Sequence, residues 1–155
     1  MNIVILNWRD IKHPLAGGAE ISLFEHAKYW VQKNAQVTWF SSSIKGRVDS
    51  ENIKGITVIR RGSHYTVHIH ALVYYLNGRL GKPDVIIDCF HFLPFFTPLY
   101  VRRTKVVALI NEVARNLWFS NLPIIFSIIG YHLEDWFFKV YRHFSATAPF
   151  GNFPR

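Results

Sequence analysis

Two adjacent glycines, Gly17 and Gly18, precede a predicted helix and could bind a negatively charged ligand. Because glycine has no side chain, a phosphate can approach the backbone N–H groups closely, and the amino end of a helix adds positive potential. A Gly-Gly pair is also typical of a flexible turn that happens to precede a helix. The pair alone therefore leaves a phosphate site and a simple turn as alternatives.

Three polar residues follow predicted strands at positions where α/β proteins bind ligands, namely His91, Asn111 and Glu112. Parallel strands place their carboxyl ends at one edge of the sheet, so we expect these residues to share an edge. His91 could bind a ligand such as a phosphate, or it could be a partly buried loop histidine. Glu112 could bind ligand hydroxyls or pair with Arg115 on the surface. Asn111 can form hydrogen bonds but cannot act as an acid or base near pH 7.

The sequence offers little support for metal or thiol chemistry. His64 and His68 would share one face of a predicted helix at a spacing that suits zinc, but no carboxylate is near them. Cys89 has no neighbouring His–Asp pattern, so we expect it to be packed and inert. We therefore expect no metal site.

The elements that would position these residues alternate between strand and helix. Apolar, β-branched runs predict strands at residues 3–6, 36–40, 56–59, 84–88 and 105–110. Helical spacing predicts a helix from Ala19 to about Asn34 and a second over 65–80, and the polar segment 45–54 is predicted to be a loop. This alternation predicts an α/β fold with a mostly parallel sheet flanked by helices.

Two segments carry many apolar residues at helical spacing. The second predicted helix is amphipathic, and its apolar face consists of Tyr65, Ile69, Leu72, Val73, Leu76 and Leu80. Residues 118–144 are dense in aromatic side chains, most of which we expect to pack in the core or against another domain. Leu122 to Ile129 and Trp136 to Lys139 could instead dock on a membrane interface, where Trp and Lys are common.

The composition suits one globular domain with a marked positive charge. The 155 residues are 50% hydrophobic, enough to bury a substantial core and to argue against global disorder. The formal net charge of +8 favours anionic partners. The Arg60-Arg61 and Arg102-Arg103-Lys105 clusters are too short for the continuous basic stripe typical of nucleic-acid binding, so we interpret them as solvated surface. A single cysteine and the lack of a signal-peptide pattern favour the cytoplasm.

Two segments resemble glycosyltransferase family 4. The first comprises Gly17-Gly18-Ala19-Glu20, Leu23, Ala27 and the strand Val37-Thr38-Trp39-Phe40, and it is similar to the opening of those enzymes. The second comprises Glu112 to Phe119, Pro123, Ile129-Gly130-Tyr131, Leu133-Glu134 and Tyr141-Arg142, and it resembles a segment that follows the fifth strand in many members. The likeness extends to about residue 147.

The resemblance implies a Rossmann-like, acceptor-side domain over residues 1–147, the N-terminal half of a GT-B fold, and an irregular tail at 148–155. Family members carry a second domain that holds the nucleotide-sugar and contains two glutamates eight positions apart. No two glutamates here have that spacing. We therefore expect the donor-binding C-terminal domain to be absent and this chain alone to be inactive.

The implied reaction is a hexosyltransferase-type transfer from a nucleotide-sugar co-substrate to a glycan or lipid-linked acceptor, retaining the anomeric configuration and without a metal. Gly17 and Gly18 would border the donor diphosphate. The acceptor would be bound by Glu20, His91, Asn111 and Glu112. The family commonly has a histidine at the position of Asn111, so proton transfer there is in doubt, and no catalytic residue is certain in this half.

The main alternative is a truncated or degenerate binding module that needs a partner chain. The missing glutamate pair and Asn111 both favour it. A dehydrogenase-like domain is disfavoured because no Gly-x-Gly-x-x-Gly follows the first strand. Since acceptors in the family are often lipid-linked, the resemblance also suggests peripheral contact of residues 118–144 with the inner face of the membrane.

Overall fold

The computed structural model describes residues 1–91, 93–110, 133 and 135–141. The elements in chain order are β1 (Asn2–Leu6), α1 (Gly18–Gln32), β2 (Gln36–Ser41), β3 (Ser50–Ile53), β4 (Ile56–Arg60), α2 (Val67–Leu76), β5 (Val85–Phe90), α3 (Thr97–Tyr100) and β6 (Lys105–Ile110). Residues 133 and 135–141 are also helical. The predicted class is confirmed: the protein has a Rossmann-like α/β fold with a mostly parallel six-stranded sheet flanked by helices.

The sheet has the strand order β3-β4-β2-β1-β5-β6, and β3 alone of these strands runs antiparallel to its neighbour. From β1 the chain winds outward through β2 to β4, and it then returns to the other side of β1 to form β5. The winding direction therefore reverses between β1 and β5. In open α/β sheets the crevice outside the carboxyl ends of two such strands is the usual ligand position.

Both faces of the sheet are covered. Ile3 and Ile5 belong to the core between the sheet and α1. Val4 and Leu6 belong to the core shared with α2 and with the helical residues 135–141. Because side chains alternate along a strand, a continuous apolar run such as β1 is the pattern that a sheet covered on both faces requires.

The short strand β3 lies in the segment 45–54 that was predicted to be a loop, so this prediction was wrong. β3 pairs with β4 through a two-residue turn at Lys54 and Gly55, which both have positive φ angles of 54° and 87°. Such a turn matches the natural twist of a hairpin. β3 lies at the edge of the sheet and consists mostly of polar residues. It therefore lacks the alternation of apolar residues that identifies a strand in a sequence.

The helix α2 is shorter than predicted and faces the opposite way from the one its apolar spacing indicates. Its buried residues are Val67 and Ala71. The apolar face found in the sequence is instead largely exposed, at Tyr65, Ile69, Val73 and Leu76. Leu80 is buried but lies beyond the helix. Val67 and Ala71 face the core, where large aromatic side chains such as Phe40 and Phe90 occupy most of the space, so small residues suit this side of the helix.

The aromatic segment 118–144 is described only at residues 133 and 135–141. There, Phe137, Val140 and Tyr141 are buried in the core and Trp136 is exposed. The tail at 148–155 and the remainder of the segment lie outside the described residues. In the part of the chain that the structure describes, the helices are too short or too polar to cross a membrane.

Candidate functional site

The Gly17–Gly18 turn lies at the amino end of α1, on the edge of the sheet formed by the strands' carboxyl ends. Gly17 is the residue before the helix and has an extended backbone, with φ −129° and ψ −159°. Gly18 is exposed, and a Cβ placed on it would meet nothing within 4 Å. The first N–H groups of a helix have no partners within the helix, so this turn presents them to solvent and to any anion that approaches.

The carboxylate of Glu20 joins this turn to the ends of β1 and β5. Its Oε2 accepts a hydrogen bond from the Gly17 N–H at 2.8 Å. Its Oε1 lies 3.3 Å from Asn7 Nδ2, 3.2 Å from Arg9 Nη2 and 3.0 Å from His91 Nε2. The Glu20 side chain is 0% exposed. Because Asn7 follows β1 and His91 follows β5, one buried carboxylate holds the crevice together.

The hydrogen bonds of His91 define its tautomer. Arg9 Nη2 lies 3.1 Å from His91 Nδ1, and a guanidinium can only donate, so Nδ1 accepts. Nε2 therefore carries the proton that it donates to Glu20. Both ring nitrogens are engaged inside the protein and the side chain is nearly buried, which supports the interpretation of His91 as a loop histidine that positions its neighbours.

Glu20 is ionised over the whole neutral range. Burial by itself would raise the pKa of Glu20, but hydrogen bonds from His91 and the Gly17 N–H, together with the charge of Arg9, lower this pKa to about 2. The negative charge of Glu20 next to the helix start would repel a phosphate, but the guanidinium of Arg9 compensates that charge. Because the Glu20 carboxylate is fully buried, it is not exposed to form the acceptor contact predicted for it.

Trp8 is the centre of an aromatic and cationic surface beside the turn. Its ring centroid lies 4.2 Å from that of His64 and 5.1 Å from that of His13, and the Arg9 guanidinium carbon lies 4.6 Å from it. Burial lowers the pKa of both His13 and His64. Sequence reasoning missed Trp8 and Arg9, although their position directly after β1 was a signal that could have identified them.

A buried ion pair fixes the loop that carries Trp8. Arg60 contacts both carboxylate oxygens of Asp10, at 2.6 Å through Nε and 3.1 Å through Nη2, and Ser41 Oγ donates to the same carboxylate at 2.9 Å. Arg60 and Asp10 are 0% exposed. The interpretation of Arg60 as solvated surface was therefore wrong, because the two-pronged geometry of arginine suits a buried carboxylate. Its neighbour Arg61 is partly exposed and pairs with Asp49.

The remaining predicted site residues divide into three cases. Asn111 and Glu112 lie outside the described residues. His64 precedes α2, so it does not share a helical face with His68, whose Nε2 lies 3.3 Å from the carbonyl of Leu93. Among residues 1–91, 93–110, 133 and 135–141, no group of three or more His, Cys, Asp or Glu side chains could hold a metal. Cys89 is buried, as predicted, and burial raises the pKa of its thiol well above the ordinary value.

The comparisons with known proteins gave matches among solved structures. No family model matches this chain, and no curated protein matches it. Four solved chains match, among them the crystal structure of the C-terminal domain of the coenzyme A biosynthesis bifunctional protein CoaBC. That domain is 13% identical with a TM-score of 0.47, and the match covers 72% of this chain and 63% of that chain. The present chain thus matches less than two thirds of the length of that domain.

Proposed function

We propose that this chain is the acceptor-side domain of a GT-B type glycosyltransferase, which moves a sugar from a nucleotide-sugar to a glycan or lipid-linked acceptor and retains its configuration. One observation supports this most strongly: Glu20 links the Gly17 turn to His91 at the crevice between β1 and β5. The residues that resemble family 4 thus lie where an α/β sheet binds ligands.

In this proposal the donor diphosphate rests against the amino end of α1. The N–H of Gly17 is already used by Glu20, so the groups left for the ligand are the N–H groups of Gly18 and of the helix turn that follows it. Fixed N–H groups and the helix dipole stabilise the negative charge that grows on the departing diphosphate. Glu20 acts as a positioning residue because it holds the turn without reaching the ligand.

The acceptor would lie on the Trp8 side of the same edge. Trp8 is partly exposed, and His13 and His64 flank its ring. An aromatic ring with hydrogen-bonding neighbours suits a sugar or a phosphate-bearing acceptor. His91 contributes through Arg9 and Glu20, whereas the acceptor roles of Asn111 and Glu112 stay predictions.

A non-catalytic binding module that needs a partner chain is the second candidate. It is favoured by the fact that Glu20 is buried and both ring nitrogens of His91 are engaged, so neither is placed as an acid or base. This candidate predicts that nucleoside diphosphates bind, but that no nucleotide-sugar is turned over even when the donor-binding domain of a family 4 enzyme is supplied.

Both candidate functions predict that a diphosphate binds at the amino end of α1. Calorimetric titration with uridine diphosphate, guanosine diphosphate and inorganic pyrophosphate tests this site. Gly18→Val should weaken binding by about tenfold or more, because the branched side chain covers the first N–H groups. The variant should have the same melting temperature as the wild type, since a Cβ at Gly18 meets no atom within 4 Å. Ser22→Val, one turn further along α1, is the matched control. Unchanged affinity in a folded Gly18→Val protein would refute the proposed diphosphate site.

A further inference from the structure

The helix α2 is apolar on two opposite sides. Val67 and Ala71 face the core. On the other side, Ile69, Val73 and Leu76 are exposed by 62%, 45% and 65%. Their spacings of four and three residues place them on one side of the helix, and Tyr65, 85% exposed, lies in the turn just before it and extends the stripe. A helix that only covers a core keeps its outer side polar, so a continuous exposed apolar stripe indicates an interaction surface.

The stripe ends at Leu76, three residues before Arg79, which is the first of a group of exposed cations. The five side chains are Arg79, Lys82, Arg102, Arg103 and Lys105. The segments before β5 and β6 are adjacent, because Thr104 Oγ1 donates to the carbonyl of Pro83 at 3.1 Å. None of the five cations forms a salt bridge within the described ranges. The acidic neighbour Asp84 accepts a hydrogen bond from the backbone N–H of Asn2.

The outer side of α1, on the opposite face of the sheet, has a different character. Its exposed apolar residues, Ile21 and Tyr29, are separated by charged and polar positions, including Glu25, His26 and the ion-paired Lys28. Scattered apolar residues of this kind are ordinary protein surface. The two helices therefore differ in what their outer sides can bind, although both cover the same sheet.

We propose that the α2 face, defined as the stripe of Tyr65, Ile69, Val73 and Leu76 together with the five cations, docks on an anionic lipid surface. The apolar side chains would enter the boundary between headgroups and acyl chains, while the cations would contact the anionic headgroups. Charge complementarity selects this occupant, because the five cations beside the stripe repel a second copy of this basic chain. The α2 face lies outside residues 118–144 and does not depend on the sugar-transfer proposal.

Co-sedimentation with lipid vesicles tests the α2 face. The protein should bind vesicles of phosphatidylcholine mixed equally with phosphatidylglycerol, and it should bind vesicles of pure phosphatidylcholine far less. The stripe variant Ile69→Ser/Val73→Ser/Leu76→Ser and the charge variant Lys82→Ser/Arg102→Ser/Arg103→Ser should each lose about tenfold or more in partitioning. The matched controls are Ile21→Ser/Tyr29→Ser/Val48→Ser and Lys45→Ser/Arg47→Ser/Lys54→Ser, which lie outside the α2 face and should bind like the wild type.

Several results would overturn this proposal. They are no binding to anionic vesicles at low salt, equal binding to neutral vesicles, or undiminished binding by the stripe variant. A wild-type dimer that the stripe variant converts to a monomer, with no vesicle binding by either, would assign the face to a second copy. If the stripe variant has a lowered melting temperature, the test rests on the charge variant, which removes no apolar contact. Undiminished vesicle binding by the charge variant would then overturn the proposal.

Discussion

The amino end of α1 and the outer side of α2 differ in which kind of side chain is buried and which kind is exposed. Around Glu20, charged side chains are buried or partly buried and each contacts a partner of opposite charge or a hydrogen-bond donor. Along α2, apolar side chains such as Ile69 and Leu76 are exposed. Removing one partner from the buried charged group should lower the stability of the fold, whereas replacing an exposed apolar side chain of α2 should change the stability very little.

The difference separates positioning from docking. A fully paired buried carboxylate such as Glu20 fixes backbone groups that a ligand can use, but it does not itself meet the ligand. An exposed stripe does the reverse, because it fixes nothing inside the protein and can only act on something outside it. Substitutions in the two regions should therefore have unequal consequences for folding, greatest at the buried charges and least at the exposed apolar side chains.

The buried ion pair of Arg60 with Asp10 should show the greatest effect on stability. Arg60→Ala leaves the carboxylate of Asp10 buried without its counter-charge, so we expect a loss of about 3–5 kcal/mol in the free energy of unfolding. Urea denaturation measures it. Arg61→Ala breaks the partly exposed pair with Asp49 and a hydrogen bond to the Tyr74 hydroxyl, and it should cost about 1–2 kcal/mol. Equal costs for the two variants would contradict the assigned burial.

Glu20→Gln should destabilise the protein by about 2–3 kcal/mol, since Arg9 keeps its charge without a buried partner. Urea denaturation again provides the measurement. Glu25→Gln, which removes the exposed partner of Lys28, is the matched control and should cost less than about 0.5 kcal/mol. A Glu20→Gln protein as stable as this control would show that the carboxylate does not hold the crevice together.

The stability that Glu20 contributes should depend on pH in a defined window. Its folded pKa of about 2 lies below the ordinary value of 4.5. The contribution should therefore be fully present above the unfolded value and should be lost as the pH falls through the folded value. The difference in unfolding free energy between wild type and Glu20→Gln should shrink as the pH falls from 4.5 towards 2. A difference that is constant over this range would contradict the lowered pKa.

Ile69→Ser should have the least effect on folding, within about 0.5 kcal/mol, because its side chain is mostly exposed. Ala71→Leu, on the inward side of the same helix, should destabilise the protein by about 1–3 kcal/mol because it overpacks the core. Thermal melts of the two variants provide the comparison. If Ile69→Ser were the more harmful change, the helix would face the way that its apolar spacing predicts.

The parallel strands can be predicted from the sequence for a physical reason. Strands covered on both faces, such as β1 and β5, need continuous apolar residues, and a short β-branched run between turn residues is typical of such strands. The edge strand β3 carries no such requirement and was missed. The sequence identifies the apolar stripe of α2 but not its surroundings, because periodicity does not say whether a stripe meets the core or a partner outside the protein.

The candidate site could be predicted only in part. Gly17, Gly18 and His91 stand at the ends of elements, where position alone indicates a ligand edge. The contacts of Glu20 with Arg9 and His91 join residues far apart in the chain, so their geometry depends on the assembled sheet. The same holds for Arg60, whose burial follows from its pairing with Asp10 and not from any local pattern.

Titration with a nucleoside diphosphate, followed by amide and indole signals in nuclear magnetic resonance, tests the central claim most directly. Anion binding at the start of the first helix predicts that uridine or guanosine diphosphate shifts the backbone signals of Gly18 and Ala19 most, with the Trp8 indole next, and leaves Ile69 and Val73 unmoved. Saturating ligand that shifts other residues while Gly18 and Ala19 stay in place would contradict the account.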